Sequence, residues 1–207
     1  MINIGIVGAE NSHTVAIAKT LNIEKRVPGV RVVSVWGETR KVARDAAERG
    51  QIPTIVASPE EMIGNIDAAL VDHRHAKFHL PAVRPLLEKK IPIFIDKPFC
   101  YRVREGIEFL DRAAKLKVPV TSFSVLPKQA AFAEFARDAR KLGKIHSVVS
   151  TGPCDIKSKH GGVFFYGIHQ VDMVVRLLGH DVSHAELNRG KTNHTATLYS
   201  AGGAIST

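Results

Sequence analysis

The chain begins with the apolar run Ile2-Asn3-Ile4-Gly5-Ile6-Val7-Gly8, followed by Ala9-Glu10-Asn11-Ser12-His13. The first part is short and β-branched, as in a buried strand, and the residues after Ser12 have helical spacing. A strand that turns through glycine into a helix points free backbone amides at an anion. This stretch predicts an α/β fold that opens with a phosphate-binding loop.

The first 121 residues repeat this alternation of strand and helix. We expect strands at 3–7, 30–36, 54–56, 68–71, 92–95 and 118–121. We expect helices at 12–25, 40–49, 59–63, 78–89 and 104–116, with Gly50 as a left-handed residue after the second. The pattern predicts a Rossmann-type, doubly wound parallel sheet, which binds its ligand at the carboxyl ends of the strands.

From residue 122 the pattern changes. It predicts helices at 128–142 and 163–178, and strands at 144–151, 181–188, 194–200 and 204–207. We therefore expect a Rossmann domain at 1–121 and, at 122–207, a shortened α+β domain with an open, mainly antiparallel sheet. Because the last strand reaches the end of the sequence, we also expect an unpaired sheet edge and a homo-oligomer.

Bulk composition narrows the classes of partner. The 207 residues carry a net charge of +9, but the basic residues are spread over helical surfaces without interleaved aromatics, which argues against nucleic-acid binding. No secretory leader pattern and no apolar run of membrane-spanning length is present. The two cysteines are far apart, which favours a reducing, cytoplasmic setting. A small-molecule substrate is the expected partner.

The loop departs from the usual Gly-x-Gly-x-x-Gly pattern. With Gly8 as the first glycine, the second position is Glu10 and the third is His13. A carboxylate at the second position adds bulk and negative charge where a pyrophosphate approaches. Asn11, Ser12 and the backbone amides can still donate to phosphate, so the loop binds a dinucleotide in an altered pose or is only a turn capped by Ser12.

The segment after the second strand is where dinucleotide enzymes recognise the adenosine ribose. Glu38 can accept a hydrogen bond from a 2′-hydroxyl, which favours NAD, whereas Arg40 and Lys41 can neutralise a 2′-phosphate, which favours NADP. Both cofactors remain open from the sequence, and so does a purely structural role for these first-turn residues.

Lys97 follows the fifth predicted strand directly, within Asp96-Lys97-Pro98. Pro98 restricts the backbone of Lys97 and so fixes the direction of its ammonium group. A lysine held over a nicotinamide can orient a substrate hydroxyl and exchange its proton during hydride transfer. An ordinary strand end also tolerates lysine.

A family resemblance rests on two motifs in the right order. Asp96-Lys97-Pro98 resembles the Glu-Lys-Pro motif of the Gfo/Idh/MocA family of NAD(P)-dependent sugar and polyol oxidoreductases. The segment 160–172, His-Gly-Gly-Val-Phe-Phe-Tyr-Gly-Ile-His-Gln-Val-Asp, resembles the glycine-rich stretch of that family leading to Asp-x-Gly-x-His and a further aspartate. Phe165 stands where the first aspartate of that motif is usual, and the second domain is shorter than in the family.

The resemblance implies a set of roles for individual residues. Lys97, His169 and Tyr166 would be catalytic, and Asp172 would join them in binding the substrate. The His73-Arg74-His75 loop stands where the family contacts the nicotinamide portion with Thr-Pro-Asn. The implied cofactor-binding residues are Gly8, Glu10, Asn11, Ser12, His13, Glu38, Arg40, His73, Lys97 and Pro98.

The predicted helix at 163–178 supports a role for Tyr166. On a helical wheel, Tyr166 and His169 lie opposite an apolar stripe formed by Phe164, Ile168, Val171, Val175 and Leu178. The Tyr166 hydroxyl can then supply part of what the missing aspartate does, by donating or relaying a proton. Tyr166 can equally serve to anchor the helix by its ring.

Two other functions compete with hydride transfer. The spacing of His73, His75 and His79 allows two zinc ligands, hence a metal-dependent hydrolase, although Arg74 opposes a cation and no third ligand is evident. We therefore assign no metal. The altered loop and Phe165 fit a degenerate binding or regulatory protein that has kept the Rossmann scaffold. Lys97 and His169 favour an oxidoreductase instead.

Overall fold

The computed structural model describes residues 1–191 and 193–207. The chain forms two compact units, one of residues 1–123 and 157–165, the other of residues 124–156 and 166–207. The sequence placed everything after residue 121 in a second domain, whereas the segment 157–165 packs with the first unit. Among the described residues, no helix is both long enough and apolar enough to cross a membrane.

The first unit is built on a six-stranded sheet whose strand pairs are all parallel. Its strands are β1 (Ile2–Val7), β2 (Val30–Trp36), β3 (Thr54–Ile55), β4 (Ala68–Val71), β5 (Ile93–Ile95) and β6 (Val120–Thr121). Their order is β3-β2-β1-β4-β5-β6, the order of a doubly wound dinucleotide-binding sheet. The predicted Rossmann-type fold is confirmed.

Four helices connect these strands: α1 (Ser12–Ala18), α2 (Arg40–Gly50), α3 (His79–Glu88) and α4 (Val103–Leu116). One sequence prediction is wrong here, because the left-handed residue after α2 is Gln51 and Gly50 is the last helical residue. Gly50 is needed for packing: a Cβ there would lie 2.5 Å from the Cβ of Ala18 on α1. The glycine thus sets the close approach of α1 and α2.

Successive strand residues pack on opposite faces of the sheet. Ile6 belongs to an apolar cluster with residues of α1 and α2, while Val7 belongs to a second cluster with residues of α3 and α4. Burial of both faces explains why the central strands are almost wholly apolar. The polar groups that follow each strand are thereby confined to the carboxyl edge, where β1, β4 and β5 end at Val7, Val71 and Ile95.

The second unit holds two helices, α5 (Ala130–Lys141) and α6 (Gly167–Leu178), and four strands: β7 (Ser147–Val148), β8 (Val182–Arg189), β9 (His194–Ser200) and β10 (Ile205–Ser206). The sheet order is β7-β10-β9-β8, with one parallel and two antiparallel pairs. This confirms a mainly antiparallel sheet. The expected unpaired last strand is wrong, since β10 has neighbours on both sides and the edges are β7 and β8.

The helix predicted at 163–178 is shorter than expected. A 3₁₀ turn spans Gly162–Phe164, and α6 begins only at Gly167, so Tyr166 precedes the helix. The apolar stripe also differs, because Val174 is buried while Val171 is 42% exposed. Gly161 and Gly162 both have positive φ and break the helical pattern ahead of α6.

Candidate active site

The loop after β1 begins with a glycine that no other residue can replace without strain. Gly8 has a φ of 100°, and a Cβ at this position would lie 2.7 Å from the backbone nitrogen of His73. The Thr14 hydroxyl also lies 3.1 Å from the Gly8 carbonyl oxygen. Gly8 therefore brings the loop, the first turn of α1 and the end of β4 together.

A carboxylate already binds the first amides of this loop. Glu38 Oε2 accepts from the backbone nitrogens of Ala9, at 2.8 Å, and Glu10, at 3.0 Å. The side chain of Glu10, from which the sequence predicted bulk and repulsion, is exposed. The carboxylate that accepts hydrogen bonds from the loop amides is thus that of Glu38. Its second oxygen, Oε1, is buried and has no hydrogen-bond partner among the described residues.

Asn11 has a different role from the predicted one. Its side-chain oxygen accepts from the His13 backbone nitrogen, so Asn11 caps α1, and Ser12 is the exposed first residue of the helix. The Asn11 side-chain nitrogen donates to Asp72, at 2.8 Å, and to Asp96, at 3.3 Å. The Asn11 amide group therefore organises two buried carboxylates, and its hydrogens are not directed at a phosphate.

These carboxylates form a polar cluster with His13 at the carboxyl edge, the His13–Asp72–Asp96 cluster. The His13 Nδ1 lies 3.3 Å from Asp96 Oδ2 and 3.8 Å from Asp72 Oδ1. One ligand atom from each residue lies within 4.8 Å of the others, a spacing that can hold a cation. A proton satisfies the same geometry, because Nδ1 of a protonated His13 donates to Asp96.

The surroundings indicate that Asp72 is protonated near neutral pH. The Thr14 hydroxyl lies 2.6 Å from Asp72 Oδ2 and 3.1 Å from the Gly8 carbonyl, yet it has one hydrogen. If Asp72 carries a proton, Asp72 donates to Thr14 and Thr14 donates to Gly8. Burial raises the pKa of Asp72 to about 7, which agrees with this arrangement.

The pKa values of His13 and Asp96 shift in opposite directions. The hydrogen bond to Asp96 raises the pKa of His13, against the effect of burial. Burial opposes ionisation of Asp96, but the His13 hydrogen bond and the charge of Lys97 outweigh it and hold the Asp96 pKa below its usual value. Both shifts favour an imidazolium at His13 paired with a carboxylate at Asp96.

We predict that Asp72→Asn flattens the pH dependence of stability. Folded Asp72 binds its proton more tightly than the unfolded chain does, so its contribution is complete below the usual pKa of 3.8 and is lost as the pH rises to about 7. Between about pH 5 and about pH 8, the wild type should lose on the order of 1–3 kcal/mol more unfolding free energy than the variant.

Urea denaturation at both pH values measures this difference. Asp111→Asn, an exposed aspartate on α4, is the matched control and should follow the wild-type profile. Parallel profiles for Asp72→Asn and the wild type would contradict a protonated Asp72.

The histidines whose spacing allows zinc ligands have other contacts in the structure. Both ring nitrogens of His79 lie near backbone oxygens, those of Pro98 at 3.1 Å and His73 at 2.8 Å. The His75 Nδ1 accepts from the Lys77 backbone nitrogen. Burial lowers the pKa of His73 to about 3, so this side chain is neutral. His79 therefore ties the loops after β4 and β5 together instead of binding a metal.

Lys97 is buried at the end of β5, with 9% of its surface exposed. Its ammonium nitrogen lies 5.4 Å from the centre of the Phe165 ring, and the guanidinium carbon of Arg74 lies 5.5 Å from the same centre. The ring of Phe165, which stands where the family motif has an aspartate, thus lies close to two cations. Arg40 is exposed at the start of α2, and Pro98 is buried.

His169, Tyr166 and Asp172 belong to the second unit. The His169 Nδ1 lies 2.6 Å from the hydroxyl of Ser124, which is 1% exposed. Asp172 accepts from the Ser124 backbone nitrogen at 3.0 Å and forms an ion pair with Arg176. The Tyr166 and His169 rings are 6.2 Å apart. Ser124 and Asp172 together fix the His169 ring.

A family profile described as an oxidoreductase family with an NAD-binding Rossmann fold matches residues 2–124. The chain belongs to this family, the Gfo/Idh/MocA family. The sequence-based recognition is therefore confirmed, and with it the class of NAD-binding oxidoreductases. No curated protein sequence matches the chain.

Solved structures share the fold of this Gfo/Idh/MocA member over its whole length. A probable dehydrogenase from Thermotoga maritima is 18% identical with a TM-score of 0.82 and matches 99% of this chain and 67% of its own. A putative myo-inositol dehydrogenase from Sinorhizobium meliloti 1021 is 19% identical, with a TM-score of 0.79 over 100% of this chain and 68% of its own. GenD2 from gentamicin A biosynthesis, solved with NAD, is 18% identical, with a TM-score of 0.81 over 99% of this chain and 64% of its own.

The chain thus spans about two thirds of the length of these structures.

The residues of this Gfo/Idh/MocA member fit an NAD molecule at the adenosine ribose. A ribose hydroxyl can donate to the buried Glu38 Oε1, which otherwise lacks a donor among the described residues. The phosphates, by contrast, would meet a loop whose first two amides already donate to Glu38. The fit therefore agrees with an altered dinucleotide pose.

Sequence reasoning missed three residues of this site, Asp72, Thr14 and Ser124, and it gave Arg74 no ligand of its own. A signal existed for Asp72, because it follows β4 directly as Asp96 follows β5, and parallel strands bring such residues to one edge. No local signal marked Thr14 or Ser124, whose importance depends on contacts with residues 58 and 45 positions away.

Proposed function

We propose that this protein transfers a hydride between a nicotinamide dinucleotide and the alcohol or carbonyl of a sugar, polyol or related small molecule. The observation that carries the proposal is the buried Lys97 at the end of β5, on the same sheet edge as the Gly8 loop and the His13–Asp72–Asp96 cluster. Enzymes of this fold bind their ligands at that edge.

Lys97 is proposed to bind the oxygen of the reacting carbon. A bound nicotinamide would supply the hydride acceptor or donor. During reduction an ammonium group directed at that oxygen stabilises the negative charge that develops there and donates a proton to it. During oxidation the neutral amine takes the hydroxyl proton as the hydride leaves. The charge of Lys97 acts electrostatically on Asp96 and Asp72, which end the two neighbouring strands.

His169 is proposed to assist Lys97 from the second unit, together with Tyr166 and Asp172. The hydrogen bond between Ser124 and His169 can run in either direction. When Nδ1 donates to Ser124, the unprotonated Nε2 can take the substrate hydroxyl proton during oxidation, which gives an imidazolium. The imidazolium can return its Nε2 proton to a carbonyl oxygen during reduction, so the pair serves both directions of the reaction.

We predict a preference for NADH over NADPH that depends on Glu38. The carboxylate is fixed by two loop amides, so a 2′-phosphate placed beside it is repelled, whereas a 2′-hydroxyl donates to it. Binding of NADH should be at least about tenfold tighter than that of NADPH, and Glu38→Ser should remove most of the difference. Arg40 and Lys41, which favour NADP in the sequence, are exposed.

The single tryptophan of the chain provides the measurement. Trp36 ends β2, two residues before Glu38, so bound NADH should quench its emission by energy transfer. Glu48→Ser, on the exposed surface of α2, serves as the control and should keep the NADH preference. Failure of both dinucleotides to quench Trp36 at millimolar concentration would instead support the degenerate binding or regulatory protein.

The remaining partner assignments are proposals of the same kind. We propose a small-molecule substrate, a homo-oligomeric assembly and a cytoplasmic location, with neither nucleic acid nor a membrane as partner. The fully exposed strand β8, at one edge of the second sheet, is consistent with self-association. Sedimentation of the full chain measures the assembly.

A further inference from the structure

Arg74 has a buried donor that the described part of the chain leaves without an acceptor. Its Nε is inaccessible to solvent and has no hydrogen-bond partner. Arg74 lies in the loop between β4 and the turn that leads to α3, at the ligand-binding edge of the sheet. Among the ion pairs of residues 1–191 and 193–207, none involves Arg74.

Three basic side chains lie close to the ring of Phe165. The Arg74 guanidinium and the Lys97 ammonium lie 5.5 and 5.4 Å from the ring centre, and the His160 ring centre is 5.0 Å away. Burial and then the charge of Arg74 lower the pKa of His160. Glu10 is the acidic group that His160 senses, and it is exposed. Arg74 and Lys97 therefore place two positive charges beside the apolar ring of Phe165.

A guanidinium in this setting favours an anion with two acceptor oxygens. The N–H groups of a guanidinium lie in one plane, and an arginine that packs near an aromatic ring loses little freedom when it binds. A carboxylate or phosphate oxygen would supply the missing acceptor for Nε and can be bound through two hydrogen bonds. A neutral sugar offers only hydroxyl groups, which neutralise no charge.

We propose that Arg74 binds an anionic group of the substrate, a carboxylate or a phosphate, beside the Phe165 ring and close to Lys97. This inference rests on the proposed function, because it takes the bound molecule to be the one whose alcohol or carbonyl Lys97 contacts. Both cations contact the same ring, so one small hydroxy acid or sugar phosphate can span them. The pyrophosphate of the cofactor is the competing source of the anion.

The experiment compares three probes on the full chain saturated with NADH. D-glucuronate, D-glucose 6-phosphate and D-glucose differ at carbon 6 only, as carboxylate, phosphate ester and hydroxyl. Affinities are measured by calorimetry at constant ionic strength. At least one anionic probe should bind about tenfold or more tightly than glucose, and whichever does so identifies the class of anion.

Variants then assign the preference to Arg74. Arg74→Gln should abolish it, Arg74→Lys should retain part of it, and Arg44→Gln, at an exposed position on α2, should leave it unchanged. Thermal unfolding of each variant verifies folding. Equal affinity for the three probes, binding of none of them, or an undiminished preference in Arg74→Gln would overturn the inference.

The two proposals can fail separately. If Arg74→Gln weakens NADH binding and leaves the probe preference intact, Arg74 contacts the cofactor, and the inference is overturned while the proposed function survives. If the chain binds glucuronate through Arg74 but neither NADH nor NADPH, the proposed function fails and the anion site remains.

Discussion

Replacing Lys97 with Met should lower kcat by about 10²–10⁴-fold, the usual contribution of a positioned proton donor or acceptor. Methionine retains the length of the buried side chain and removes only the ammonium group, so packing against Phe165 should persist. The assay follows reduction of NAD by nicotinamide absorbance, using the most active compound from a panel of sugars, polyols and sugar acids. NADH affinity, measured by quenching of Trp36, should change little.

Lys115→Met provides the matched control, because this lysine is exposed on α4 and should keep wild-type turnover. A Lys97→Met enzyme with kcat within about threefold of wild type would remove Lys97 from the reaction. Loss of NADH binding together with turnover would show that Lys97 serves the cofactor more than the substrate.

His169→Ala should produce the second largest loss, about 10²-fold or more in kcat, because it removes the imidazole that assists proton transfer. Ser124→Ala should have a smaller effect on kcat but should move the pH at which the rate is half-maximal, since the Ser124 hydroxyl lies 2.6 Å from the ring nitrogen. A merely structural role for Ser124 would lower stability without moving the pH profile.

The control for this pair is His180→Ala, an exposed histidine after α6. It should keep the rate and the pH profile of the wild type. Unchanged turnover in His169→Ala would show that His169 transfers no proton, and proton transfer would then be assigned to Lys97.

The first half of the fold was predictable because it depends on local patterns. Strands buried on both faces give continuous apolar runs such as Ile93–Ile95, and the helices between them keep a regular spacing. The second half was harder, because the helical pattern at 163–178 covers both the end of a 3₁₀ turn, Gly162–Phe164, and a helix that begins only at Gly167. Likewise β10 pairs with β9, which directly precedes it, but also with β7, which lies far earlier in the sequence. No local pattern reveals the second pairing.

The candidate site was predictable where a motif carries it. The Asp96-Lys97-Pro98 turn and the segment containing His169 stand in motifs, so the sequence alone selected these residues. Asn11 was misread because its amide can serve a phosphate or a carboxylate equally well, and only the positions of Asp72 and Asp96 decide between them. Arg74 was taken as an obstacle to a metal, whereas its packing on Phe165 indicates an anion.

The proposed mechanism requires Lys97 and His169 to act on one substrate beside a bound nicotinamide. A crystal structure of the full chain with NADH and the best substrate tests this requirement directly. We expect Lys97 Nζ and a ring nitrogen of His169 both to lie within hydrogen-bond distance of the substrate oxygen on the reacting carbon, with that carbon facing the nicotinamide. An ammonium group and an imidazole that contact no common ligand would contradict it.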